Sequence, residues 1–191
     1  MYQPDFDVFP AAVQPNISVL KDGFKQYGLR MGLCARCGDG VRRPTGGPPE
    51  VYRMSPDKPA DMKTTIDRFR HAMDMGFDIF YLDSFGGGGM ADLRMLKMYR
   101  EAVGPHVLFY TETCTDMSLP YAGAYAEWLG SSTIWDSPET YADLRYLCPD
   151  STWLVMSRTK QDIPPAFAQL KMTPLVQDQD VRQLLSWQPG A

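Results

Sequence analysis

Apolar and polar positions along this chain alternate between two periods, and the alternation predicts its elements. Residues 16–27 read as a helix, with Asn16 as N-cap and Ile17, Leu20 and Phe24 on one face. Gly28 closes it, and an apolar run at about 29–35 follows as a strand. Residues 38–58 are rich in Gly, Pro and Arg and read as a long loop. A helix is expected from Pro59 to Met75, where Met62, Ile66, Phe69 and Met73 recur at helical spacing. Gly76 ends it.

The stretch from Gly76 to Phe85 is apolar at successive positions (Ile79, Phe80, Tyr81, Leu82) and carries one carboxylate, Asp83, at its end. Parallel strands covered on both faces have this continuous pattern. Further on, helices are expected at about 90–103 (Leu93, Leu96 and Val103 inward), 120–129, 138–147, 164–170 and 179–187. Strands are expected at about 29–35, 78–83, 107–112, 131–135, 152–157 and 173–177.

Strict β/α alternation points to an α/β fold with a parallel sheet. A Rossmann-type sheet would alternate too, but no G-x-G-x-x-G or G-x-x-x-x-G-K-S/T is present. Gly86 to Gly89 follow a strand and precede a helix, as a phosphate cradle would, yet the carboxylate directly before them opposes a phosphate. An acid ahead of a flexible glycine run is poor core design and suits the C-terminal strand end of an α/β barrel, where active sites lie.

Composition narrows the classes. The chain has 191 residues, 44% hydrophobic and 22% charged, enough for one domain with a real core. A net charge of -4 with no basic run opposes nucleic-acid binding, and no apolar stretch is long enough to span a membrane. The first residues, Met1-Tyr-Gln-Pro-Asp-Phe-Asp, do not resemble a signal peptide. Either the chain is intracellular, or a leader has been removed or lies outside the sequence.

Cys34, Cys37, Cys114 and Cys148 include one C-x-x-C and no second, and His71 and His106 are poorly placed to complete a zinc site. Mostly buried free thiols are expected, a disulfide less so, and no metal or cofactor. Asn16-Ile17-Ser18 fits a glycosylation acceptor, a triplet common by chance. Met62, Met73, Met75, Met90, Met95 and Met98 read as core filler.

Phe9-Pro10, a helix, and then Tyr27-Gly-Leu-Arg-Met-Gly-Leu33 resemble the retaining alpha-glycosidase superfamily of melibiases and family-31-type alpha-glucosidases. There, a helix ends in "GLKFGLY" on the third barrel strand, and a later strand ends in "YLKYD" or "DGFWLD". Gly76-Phe-Asp-Ile-Phe-Tyr-Leu-Asp83 occupies that later place. The likeness is good over 5–85, weak over 86–160 and absent beyond.

The resemblance implies a (β/α)8 TIM-barrel-like domain over 1–191, with about six βα units forming the third to eighth strands. It makes Asp83 the nucleophile on the fourth strand and, by strand counting, Asp136 the general acid/base. Glu112 competes for that second role, because an Asp on the fourth strand with a Glu on the fifth resembles the alpha-amylase arrangement. The chemistry needs such a pair: retaining glycoside hydrolysis uses two carboxyl groups about 5–5.5 Å apart. Arg36, Asp39, Tyr110, Trp135 and Asp178 are candidates for sugar contacts, with Asp116 weaker; Tyr110 and Trp135 would stack on the sugar.

Each assignment has a plainer counterpart. Asp83 would cap the next helix, Glu112 would pair with an arginine, and Asp136 would cap the helix at 138–147. A full barrel takes about 250 residues, so the first two strands are expected to be missing. The chain is then a fragment, a truncated barrel, or one completed by an oligomer or partner chain. A glycoside hydrolase acting on carbohydrate is the leading expectation. The alternatives are a non-catalytic barrel remnant that binds carbohydrate or protein, and a barrel enzyme in which Asp83 and Glu112 hold a metal.

Overall fold

A computed structural model describes residues 4–85, 89–113, 115–128, 138–157 and 173–176. The chain divides into two compact units, Met1–Tyr125 and Ala126–Ala191.

The first unit begins with α1 (Ile17–Gln26) and β1 (Met31–Ala35), then a hairpin of β2 (Asp39–Arg42) and β3 (Glu50–Arg53). It continues through α2 (Pro59–Asp74), β4 (Phe77–Leu82), α3 (Met90–Val103), β5 (Leu108–Thr111) and a short α4 (Leu119–Ala122). β6 (Gly123–Trp128) follows directly. β1, β4, β5 and the start of β6 lie side by side and parallel, as the alternation predicted. The register places Cys34 beside Tyr81 and Tyr81 beside Tyr110; one step on, Ala35, Leu82 and Thr111 align.

The two helices that cover this sheet bury part of the faces their spacing predicts: Met62, Phe69, Leu96 and Val103 are buried, while Ile66, Met73 and Leu93 are half-buried, and polar residues are buried beside them. α2 buries Met62, Thr65, Phe69 and Ala72 together with Asp61. α3 buries Met95, Leu96, Tyr99 and Val103 together with Asp92. Phe69 sits at the centre, its ring 4.9 Å from Phe80, 5.1 Å from Phe109 and 5.3 Å from Tyr99. Phe6 of the N-terminal segment joins it at 4.9 Å. Offset and edge-on aromatic contacts of this kind add to the burial energy. Met62 and Met95 are core residues and Met73, Met75 and Met98 pack against them, whereas Met90 is largely exposed.

Several expectations are corrected. The segment 120–129 is not one helix: Gly123 adopts φ 76°, caps α4, and its amide bonds back to Leu119. The chain then pairs Gly123, Ala124 and Tyr125 with Phe109, Tyr110 and Thr111, so sheet pairing overrides the helix-forming alanines. The loop at 38–58 contains the β2–β3 hairpin, with Val41 opposite Val51 and a turn through Gly46 at φ 81°. Asn16 makes no cap; its side-chain amide donates to the Ala12 carbonyl. Of the predicted α1 face, Ile17 is buried while Leu20 and Phe24 stay exposed.

In the second unit, α5 (Pro138–Leu147) precedes β7 (Thr152–Ser157) and β8 (Thr173–Val176). These strands are parallel, with Leu154 beside Thr173. The expected strand at 131–135 and the helices at 164–170 and 179–187 lie outside the described residues. Cys34, Cys37 and Cys148 are free thiols, Cys37 buried and Cys34 exposed. Among the described residues no helix is long and apolar enough to cross a membrane.

Candidate functional site

Side chains alternate along a strand, so the residues after Cys34, Tyr81 and Tyr110 by two positions share their face. Those residues are Arg36, Asp83 and Glu112. The ladder runs one step past the strand ends: the Asp83 amide donates to Ala35 O at 3.1 Å and the Glu112 amide to Leu82 O at 3.3 Å. Three charged residues therefore stand in one row at the C-terminal edge of the sheet.

Asp83 is buried, only 7% exposed, and its Oδ2 accepts from Arg36 Nε at 2.7 Å. Arg36 also donates to Ser84 Oγ at 3.2 Å and lies 3.9 Å from Asp39. The contact with Asp83 strengthens the guanidinium's hold on its proton. Asp83 does not cap α3, whose N-cap is Gly89 with no side-chain bond.

Glu112 takes a partner other than an arginine: its Oε2 accepts from the Ser84 amide at 2.7 Å. That bond depends on an uncommon backbone. Ser84 has φ 53°, the left-handed region that a residue with a Cβ enters at a cost. Its amide is thereby turned onto the neighbouring strand end, and its carbonyl faces Arg53 Nη1 at 3.4 Å.

Arg53, at the end of β3, closes the cluster from the hairpin side. Its Nη2 donates to Asp92 Oδ1 at 2.5 Å, and its Nη1 lies 3.5 Å from Asp39 Oδ1. Its guanidinium sits 5.8 Å from the centre of the Phe85 ring. Acids and arginines alternate through the cluster as Asp92, Arg53, Asp39, Arg36 and Asp83.

Beneath the charged row lies a layer of milder polarity. The Tyr81 and Tyr110 rings are 5.1 Å apart. The Cys34 thiol faces solvent in part, yet the packing around it and the Asp83 carboxylate push its pKa up to about 11. Burial pushes the Tyr110 phenol up to about 12.

Of the residues expected from sequence, Asp83, Glu112, Arg36, Asp39 and Tyr110 gather at this edge. Asp136, Trp135 and Asp178 lie outside the described residues. Asp116 lines a cavity of about 220 Å³ together with Asp92, Leu93, Leu96 and Met117, and its carboxylate accepts from the Met117 amide. Among the described residues no three His, Cys, Asp or Glu side chains converge to hold a metal ion.

Ser84, Arg53 and Asp92 were not singled out from sequence. Arg53 and Asp92 are 39 positions apart, and nothing local marks either as a partner.

No protein-family model matches the chain, and no curated protein matches it. Among solved structures, it is similar to the glycoside hydrolase domain of PelA from Pseudomonas aeruginosa, determined as a point variant. The TM-score is 0.56 at 13% identity, over 82% of this chain and 81% of that one. At this identity the likeness is one of fold alone, an α/β fold that the chain shares with that glycoside hydrolase domain.

Proposed function

We propose that this chain is a glycoside hydrolase, or the catalytic part of one, that cleaves a carbohydrate by a retaining mechanism with Asp83 as nucleophile. Its fold likeness to a glycoside hydrolase domain supports the class. The observation that carries the mechanism is the register of the sheet. Asp83 and Glu112 follow Leu82 and Thr111, which are paired, and so end adjacent parallel strands at the same level. Neighbouring strands lie about 4.8 Å apart. That backbone spacing lets the two side chains bring their carboxyl groups to the roughly 5–5.5 Å of a retaining pair.

The partners divide the labour. Asp83 is the anion of an ion pair, the form in which a carboxylate attacks the anomeric carbon. Oδ2 is engaged by Arg36, which leaves Oδ1 as the attacking oxygen. Glu112 has Oε2 on the Ser84 amide, so Oε1 is the atom to protonate the leaving oxygen and later to take a proton from water. Asp136 remains its competitor for that role. Tyr110 and Trp135 are assigned to stacking on the sugar, and Arg36, Asp39 and Asp178 to its hydroxyls. In this reading the chain supplies the third to eighth strands of a TIM barrel, completed by further chain, a partner or a second copy.

A panel of aryl glycosides tests the reading. Asp83→Asn should lower turnover of any cleaved substrate by roughly a thousandfold or more while leaving the far-UV spectrum unchanged. Glu112→Gln and Asp136→Asn, compared on substrates with good and poor leaving groups, decide between them. The true acid loses most on the poor leaving group. Undiminished activity in Asp83→Asn overturns the assignment, and saccharide binding without cleavage by the wild type would favour a non-catalytic protein.

A further inference from the structure

We infer that Arg53 is a positioning residue for the Asp83–Glu112 pair, acting through Ser84 and Asp39. The inference rests on the reading of those two carboxyl groups as the working pair.

Its first support is the cost of what surrounds Arg53. Asp92 is 2% exposed, and a carboxylate so buried is unfavourable unless paired. An acid in the first turn of a helix is favourable when exposed, so burial adds nothing for α3 itself. It does anchor Nη2 of Arg53. Space is reserved as well: a Cβ at position 38 would lie 2.2 Å from Arg53 Nη1 and 2.6 Å from its Cζ, so only glycine leaves room for the guanidinium.

The second support is what the anchored guanidinium then holds. Ser84 is gripped at three atoms, its amide by Glu112, its hydroxyl by Arg36 and its carbonyl by Arg53. These come from the ends of β5, β1 and β3, and together they offset the unfavourable φ of 53°. Ser84 is bonded to Asp83 through the chain and to Glu112 through its amide. A rotation of Ser84 therefore displaces both carboxyl groups. Asp39 adds a second route, since its carboxylate lies between Arg53 and Arg36. With Arg53 gone, Asp39 competes with Asp83 for Arg36.

Arg53→Met alone leaves Asp92 buried without its cation and risks unfolding. The test therefore uses Arg53→Met combined with Asp92→Asn, and separately Arg53→Lys. The readout that needs no substrate is the set of NMR chemical shifts of the Ser84 amide and the Glu112 amide and carboxyl carbon. In the double variant these should move well beyond those of residues elsewhere in the sheet, as the grip on Ser84 loosens. On any aryl glycoside that the wild type cleaves, kcat should fall roughly tenfold to a hundredfold with KM little changed, as misplacement of reacting groups does.

Arg53→Lys should restore stability, because an ammonium satisfies Asp92. It should not restore the wild-type shifts of Ser84 and Glu112, because a point charge does not span Asp92 and the Ser84 carbonyl together. Unchanged Ser84 and Glu112 shifts in the double variant, or full rescue by lysine, overturn the positioning role and leave Arg53 as a pin for the hairpin. A wild type that cleaves no glycoside defeats the proposed function alone, while the shifts still decide this inference.

Discussion

The two faces of the parallel sheet obey the same alternation and meet different fates. On one face, Phe80 and Phe109 are fully buried against Phe69, which Tyr99 also touches. On the other, Gly32 and Cys34 are exposed, and Tyr81 and Tyr110 are half-buried. The first face is hydrocarbon packed to hydrocarbon, and its residues are chosen for volume. The second carries hydroxyl, thiol and then charge as it approaches the strand ends. Apolar packing and polar groups are thus separated by a period of two, with the charged row continuing the open face.

That contrast can be broken most forcefully at its core. Phe69→Ala should cost about 3–5 kcal/mol, measured by urea unfolding, because four aromatic rings lose their common neighbour. A loss below about 1 kcal/mol would mean that the helix-covered face is not where stability resides.

The open face should announce itself through pH. The Cys34 thiol and the Tyr110 phenol are both neutral when protonated, and both hold their protons more tightly when folded. Above the ordinary value the unfolded chain has released the proton and the folded chain has not, so stability falls as pH rises. For Cys34 the window runs from about 9 to about 11, and for Tyr110 from about 10 to about 12. Denaturation midpoints followed from pH 8 upward should decline from about 9. Cys34→Ala should make the decline shallower without moving its onset, because burial also pushes the Cys37 thiol well above its ordinary value of 9.

Smaller changes sharpen the distinction. Tyr110→Phe should alter stability by less than about 1 kcal/mol, in contrast to any truncation on the helix side. Gly32→Ala should be smaller still, within about 0.5 kcal/mol, since the nearest atom to a Cβ there is Ile79 Cβ at 3.4 Å, an ordinary contact. A loss of several kcal/mol at either position would show the second face to be core as well.

Legibility in the sequence followed the same division. β1, β4, β5 and the helices α2 and α3 were readable because their apolar residues recur at the period of the element that buries them. Asp83 and Glu112 were readable because acids at the ends of apolar runs have no packing purpose. The β2–β3 hairpin was hidden by the density of Gly and Pro around two four-residue strands. β6 was hidden because Ala124, Ala126 and Glu127 favour a helix, and only pairing with β5 makes a strand of them. Arg53, Asp92 and Ser84 left no trace, since ion pairing between distant segments and a left-handed serine are decided by tertiary context.

The level alignment of residues 83 and 112 has one more consequence. The separation of two groups carried on long loops drifts with every insertion or change of loop sequence. Here the gauge between them is the repeat of the backbone hydrogen-bond lattice, which is the same whatever side chains the strands bear. The surrounding loops are then free to diverge, while the level at which these two acids stand is carried unchanged with the sheet.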